Sequence, residues 1–432
     1  MPKYLHPCSL SEILQLLKTG DLLPEELIDL LCDRIEISDA VIRAFLPEEK
    51  RRERLQSQLR ALKLRWPHPE KRPLLFGVPI GVKDIFCVDG FLTQGGSQLP
   101  PHLFHDKQAP VVSQLQSVGA LILGKTVTTE FAYFQPGPTK NPHNIKHTPG
   151  GSSSGSAAAV AAGMCPLALG TQTIGSISRP ASFCGTWGMK PSFGQLSRAG
   201  IIPFSPAVDQ VGFFTQDVAG LQLVWQVLSG KDSREAEAIN LPRLGVPSQK
   251  YLEQAEAETL KQFQVILEKL SKIGYEIIYT DLWDDIAEVN YLHRALNARE
   301  FATVHQKWYQ DYQQLYHQKT RQLIESGQQI SKELYQKALA GRKLWRQKLA
   351  AISEKKQIKI WLSPAAPAAA PLGLDSTGDP IMNLPWTYCG VPTIAAPLGM
   401  LDDLPLGLQC AGLWGEDEEL LQFVAKISVE LG

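Results

Sequence analysis

Between Thr148 and Gly163 the chain reads TPGGSSSGSAAAVAAG, with four serines among residues 150–156 and then a run of alanines. Composition alone describes a flexible Gly/Ser joint. The flanks point elsewhere. Ala157–Ala162 is a strong helix former, and Gly163 stands where a glycine closes a helix. The stretch therefore reads as a tight glycine turn feeding a short helix, with Ser156 at the N-cap. Such a turn aims backbone N–H groups and hydroxyls at one point, which makes its serines candidates for chemistry.

The remainder of the chain is consistent with a globular core around that turn. It has 432 residues, 44% hydrophobic and 20% charged, a balance ordinary for soluble globular proteins. This length fits one large α/β unit or two to three smaller ones. A formal net charge of −1 does not indicate a general affinity for nucleic acid or for acidic membrane surfaces. Seven cysteines are scattered at 8, 32, 87, 165, 184, 389 and 410 without a CxxC pair. That pattern reads as reduced, buried thiols in a cytoplasmic protein. The N-terminus lacks the apolar segment of a secretion signal, and Ser9 and Glu12 have capping-box spacing. The apolar run 157–169 is broken by Gly163 and Pro166 and is too short to span a membrane.

Residues 9–65 read as helices, with Pro24 near a helix start. Val78, Ile80 and Val82 alternate with Pro79, Gly81 and Lys83, the period of a strand. A helix and then a short buried strand are expected over 108–130, and glycine-rich turns dominate 148–215. From about 216 to 356 the composition shifts, ending in a long charged helical stretch without proline. Apolar turns return over 361–399, and a helix near 416–430 closes the chain. The simplest organisation is an α/β core interrupted by a helical segment that covers a site.

Several chemistries are argued against by spacing. GALILGKT (119–126) satisfies the formal pattern of a phosphate-binding loop, but Ala-Leu-Ile-Leu between its glycines wants to be a buried strand. His143 and His147 lie in a proline-containing loop. No histidine or cysteine cluster has metal-ligand spacing, so neither a metal nor another cofactor is called for. Lys83 remains as a base. A buried lysine loses solvation, its pKa falls, and its neutral amine accepts a proton. The alternative is a strand-end lysine paired with Asp84. A second serine stretch, LALGTQTIGSISRPASFCG (167–185), runs from an apolar strand into a turn tipped by Ser176, a geometry that offers successive N–H groups to an oxyanion.

The pieces GVPIGVKD, TPGGSSSGSAAAVAAG, LALGTQTIGSISRPASFCG, KPSFGQLSRAGIIPF and DQVG, in this order and spacing, resemble the amidase signature family. The match is dense over 75–215 and looser over 361–432. The resemblance implies one α/β/α domain on a mixed sheet covered by helices on both faces. It divides into N-terminal helices (1–70), a catalytic core (72–215), a largely helical insertion or cap (216–356) and a core return (357–432). It also implies a Ser–cis-Ser–Lys triad: Lys83 as base, Ser152 after a cis peptide bond as relay, and Ser176 as nucleophile. The oxyanion hole would be the backbone N–H groups of Thr173, Ile174, Gly175 and Ser176. Its implied activity is hydrolysis of a small carboxamide or N-acyl amide through a seryl acyl-enzyme.

Departures from the family pattern keep other readings open. Gln172, and Arg179 one place later than in many members, resemble a subset of amidases and are candidate substrate contacts. Arg179 has two readings, a bidentate partner for a substrate carboxylate or a buried anchor of backbone carbonyls. Ile174 replaces a small residue; a position needing φ > 0 would strain it, and otherwise it narrows the acyl pocket. The alternative functions are the glutaminase subunit of a tRNA-dependent amidotransferase and a weakly active or non-catalytic scaffold. The expected partner is a small-molecule amide, with no direct nucleic-acid or membrane contact, as either a monomer or a homodimer.

Overall fold

Ser9 caps the first helix as its spacing to Glu12 predicts, accepting from the Glu12 N–H at 3.2 Å at the start of α1 (Leu10–Thr19). Pro24 is the first residue of α2 (Pro24–Ile42), and α3 (Arg51–Arg65) completes the N-terminal helices. The structure, a computed structural model, describes residues 3–232, 241–283 and 285–431.

The segment from 79 to 215 supplies β1 (Pro79–Lys83), β2 (Leu121–Thr126), β3 (Leu167–Gln172), β4 (Trp187–Lys190) and β5 (Gln210–Thr215). Between them lie α4 (Pro110–Ser117), α5 (Ser154–Ala161) and α6 (Ser178–Cys184). GALILGKT is, as expected, a helix-terminating glycine followed by buried β2. Helix α5 begins two residues before the expected cap. Ser156 sits inside it, bonding Leu169 O at 2.8 Å and Thr126 Oγ1 at 2.7 Å, because a fully buried serine finds partners across the sheet rather than in its own first turn.

Among its described residues the segment 216–356 is mostly helical but also contributes two short strands to the main sheet. After α7 (Val218–Ser229) come β6 (Arg243–Val246), α8 (Gln249–Leu252), α9 (Ala257–Ile273) and β7 (Ile277–Tyr279). Only then follow the long helices α10 (Ile286–Tyr312), α11 (Gln318–Gln328) and α12 (Lys332–Lys356). Strands β6 and β7 join the main sheet at its far edge, parallel to β8 (Ile358–Pro364). At four and three residues they are too short to show a period of two among helical neighbours. The chain ends with α13 (Leu384–Cys389), β9 (Thr393–Leu401), β10 (Leu404–Ala411) and α14 (Asp417–Leu431).

All ten strands form one mixed sheet in the order β2-β1-β3-β5-β4-β9-β10-β8-β6-β7. Strand alternation separates two hydrophobic layers. Leu167, Leu169, Phe213 and Ile394 pack on one face with α4, α7, α9 and α14. Ala168, Phe214 and Ala395 face the other way, against α2, α3, α5 and α6. The α/β/α architecture follows from that period. The alanines of α5, fully or almost fully buried, let that helix lie close to the sheet. Among the described residues no helix is long and apolar enough to cross a membrane.

Candidate active site

Lys83 ends β1 and is completely buried. The neighbouring carboxylate is not its partner: Asp84 pairs instead with Lys125 of β2 at 2.9 Å, both side chains buried. Lys83 Nζ lies 2.7 Å from Ser152 Oγ and 2.9 Å from Thr171 Oγ1. It has no ion-pair partner among the described residues. Burial holds this amine well below the usual lysine range, and the more distant negative charge of Asp209 only opposes that shift.

Ser152 follows a cis peptide bond from Gly151. The loop around it is tied on every side. Ser153 Oγ contacts the Thr171 backbone, at 3.2 Å to O and 3.3 Å to N, and Ser152 O accepts from the Thr129 N–H at 3.3 Å. Gly151 O accepts from Arg179 Nη2 at 2.7 Å. Gly150 turns the chain with φ 79, where a side chain would also press on Pro180.

Beyond β3 the chain crosses the site as Thr173-Ile174-Gly175-Ser176. Each carbonyl of its first three residues is held from outside. His293 Nε2 lies 3.0 Å from Thr173 O, Thr387 Oγ1 donates to Ile174 O at 2.7 Å, and the Arg179 N–H donates to Gly175 O at 2.9 Å. With the carbonyls held by the protein, the N–H groups of all four residues are left without acceptors among the described residues. A Cβ on Gly175 would lie 2.3 Å from Asn383 Oδ1, so only glycine fits there. Ile174 is not among the residues with positive φ, so its β-branched side chain carries no left-handed strain.

Gln172 braces this loop. Its Oε1 accepts from the Ile177 and Ser178 N–H groups at 2.8 and 2.9 Å, and its Nε2 donates to Thr387 Oγ1 at 2.9 Å. It is completely buried. Thr173 Oγ1 donates to Asp209 Oδ1 at 2.5 Å, and Asp209 Oδ2 accepts from the Phe204 and Ser205 N–H groups. Arg179 is also enclosed, donating to Gly378 O at 2.8 Å, Gly151 O and Thr377 Oγ1. Burial lowers its pKa to about 9, with Asp379 opposing. Thr171, Asp209, Thr387 and His293 escaped sequence reading. Asp209 opens the DQVG motif, which marks the position without its partner.

Ser176 Oγ makes no hydrogen bond among the described residues. It lines a slot of about 10 Å³, water-sized, bounded by Ala132, Tyr133, Phe134, Thr173, Ile174, Arg179 and Pro380. Tyr133, Phe134, Ile174 and Pro380 also wall an adjoining cavity of about 720 Å³ beneath α10 and α11. The structure thus joins Lys83 to Ser152, and ties the Ser152 loop to the Ser176 slot through Arg179.

The family model described as Amidase matches residues 26–421. The A-type subunit of glutamyl-tRNA(Gln) amidotransferase from Prochlorococcus marinus (strain MIT 9303) is 31% identical over 96% of this chain and 95% of that protein. Its counterpart from Sulfolobus acidocaldarius is 29% identical over 97% of each. Among solved structures, a crystal structure of an amidase is similar with TM-score 0.89 and 30% identity, covering 98% of this chain and 100% of that one. The native peptide amidase of Stenotrophomonas maltophilia has TM-score 0.81 at 23% identity, covering 98% and 96%, and so shares the fold.

Proposed function

The chain belongs to the amidase family, and on that premise we propose that it hydrolyses a small carboxamide or N-acyl amide through a seryl acyl-enzyme, with Ser176, Ser152 and Lys83 as triad. The observation that carries this reading is Lys83: fully buried, without a carboxylate partner, and 2.7 Å from Ser152 Oγ. A lysine so placed is neutral, and a neutral amine is a base.

Ser176 Oγ attacks the amide carbonyl carbon. Its proton passes to Ser152 Oγ while the Ser152 proton passes to Lys83 Nζ, which becomes an ammonium. The oxyanion meets the free N–H groups of residues 173–176, where each donor is worth about 10²–10³ in kcat. The proton then returns through Ser152 to the leaving nitrogen. Ammonia or an amine departs, and the acyl group stays as an ester on Ser176. Water attacks the ester and gives its proton to the same relay, which restores Ser176. No step uses Gln172 or Arg179 as a substrate contact. Their bonds support roles in bracing the oxyanion loop and holding the Gly151 carbonyl.

The test is intact mass after incubation with a small fluorophosphonate, beside Ser176→Ala. One adduct on the wild type, absent in the variant, is expected. A folded wild-type protein that takes no adduct would sink the mechanism.

A second reading, the glutaminase subunit of a tRNA-dependent amidotransferase, draws on the names of the relatives at about 30% identity. Glutaminase activity that appears only when partner subunits are added would favour it over a free-standing hydrolase.

A further inference from the structure

The cavity beside the slot contains a group that neither the fold nor the triad uses. Asn297 of α10 is 2% exposed and lines this cavity, yet neither Nδ2 nor Oδ1 has a hydrogen-bond partner among the described residues. Leaving a buried amide unpaired is costly. One turn earlier, on the same wall, stands Arg294. Its guanidinium makes no hydrogen bond or ion pair among the described residues, and its field reaches Tyr133, which the cavity and the slot share.

Among the other polar groups of the cavity, the two serines and one carboxylate oxygen are engaged, while the Tyr133 hydroxyl has no hydrogen-bond partner among the described residues. Ser326 Oγ donates to Leu323 O, and Ser376 Oγ accepts from the Gly378 N–H. Asp379, which lines the same cavity, accepts from the Ile381 N–H through Oδ1, and its charge acts on Arg179. Besides the Tyr133 hydroxyl, the unengaged groups are one cation and one amide, three residues apart on α10. Arg179 cannot play their part, since its Nη atoms are held by Gly378, Gly151 and Thr377.

We propose that Arg294 and Asn297 form the substrate-recognition subsite, and that the substrate is an amide carrying a carboxylate at the end remote from its scissile bond. Arg294 pairs with the carboxylate in the fork geometry that guanidinium favours, and Asn297, sealed in the cavity wall, donates through Nδ2 once its amide turns toward the ligand. Asn297 Oδ1 is left to accept an N–H of the same ligand. At about 720 Å³ the cavity has room for a metabolite-sized molecule. The inference rests on the amide-hydrolase reading for its choice of ligand, but its test does not require turnover.

Binding to the Ser176→Ala protein, measured by calorimetry, provides that test. The probes are succinamate, glutaramate and adipamate, each against its neutral chain-matched amide: pentanamide, hexanamide and heptanamide. At least one ω-carboxylate is expected to bind about tenfold or more tighter than its neutral match. Adding Arg294→Met should remove that difference. Adding Asn297→Leu should weaken carboxylate binding while raising Tm, since it deletes a buried unpaired amide that a merely structural asparagine would not carry. Equal affinities for every pair, or a difference unaffected by Arg294→Met, overturns the proposal. Arg294 is exposed, so its variant keeps the test decisive if the Asn297 variant folds poorly. Failure of the hydrolase reading is registered separately, by the absence of a fluorophosphonate adduct on Ser176.

Discussion

Replacing Lys83 by methionine separates the stability role of this residue from its chemical one. Methionine fills a similar volume without charge. Ser152 Oγ and Thr171 Oγ1 lose their contacts with Nζ, a pH-independent loss of about 1 kcal/mol each. Against this stands the proton. Burial depresses the Lys83 pKa in the folded protein, whereas the unfolded chain titrates near the ordinary lysine value of about 10.4. Between those two values the unfolded state binds the extra proton, so wild-type stability rises with pH. The rise is about 1.4 kcal/mol per pH unit, fading as pH approaches the unfolded value. The Met variant lacks this term, and all other titrations cancel between the two proteins. From pH 7 to 9 its stability relative to wild type should therefore fall wherever the pH exceeds the folded Lys83 value. Urea unfolding of both proteins at pH 7, 8 and 9 reads this difference directly. Parallel stability curves would mean that Lys83 is as protonated in the fold as out of it, and the neutral-lysine mechanism would be refuted. The same proton predicts that kcat/KM declines as pH falls through the folded pKa, because the ammonium cannot accept from Ser152.

Two further substitutions address the oxyanion loop. Gln172→Ala removes three hydrogen bonds, to Ile177, Ser178 and Thr387. It should cost about 3 kcal/mol in urea unfolding and about 10²-fold in kcat as the donors drift; a stability loss with unchanged kcat would show that the brace does not position the loop. Ile174→Ala should open the wall between slot and cavity and raise kcat/KM for isobutyramide relative to acetamide by about tenfold. An unchanged ratio would place the acyl group elsewhere.

Much of the scaffold was legible because its signals are local. Ser9 and Glu12 make a cap, Val78, Ile80 and Val82 make a strand, and Gly163 ends a helix with φ 64, all through neighbours within a few residues. The family motifs named Lys83, Ser152 and Ser176 in the same way, as short patterns along the chain. The strands β6 and β7 were missed because three or four residues give no measurable period, and only the pairing of β6 with β8, made more than eighty residues away in sequence, brings them into the sheet.

Pairing and burial were decided by tertiary structure alone. Sequence left Lys83 open between an ion pair with Asp84 and a free base, since at the end of a strand the lysine can turn to its neighbour or into the core and the pattern fits either. The fold resolved it by bringing Lys125 to Asp84 and Ser152, 69 residues distant, to Lys83. Gln172 was a candidate substrate contact by pattern, and only the fold brings Thr387, 215 residues on, to its amide. Asn297 had no signal at all in a helix of mixed apolar and polar residues. Its unpaired amide is a property of the cavity around it, because whether a polar group is satisfied depends on what the folded chain places within about 3 Å, which no local pattern specifies.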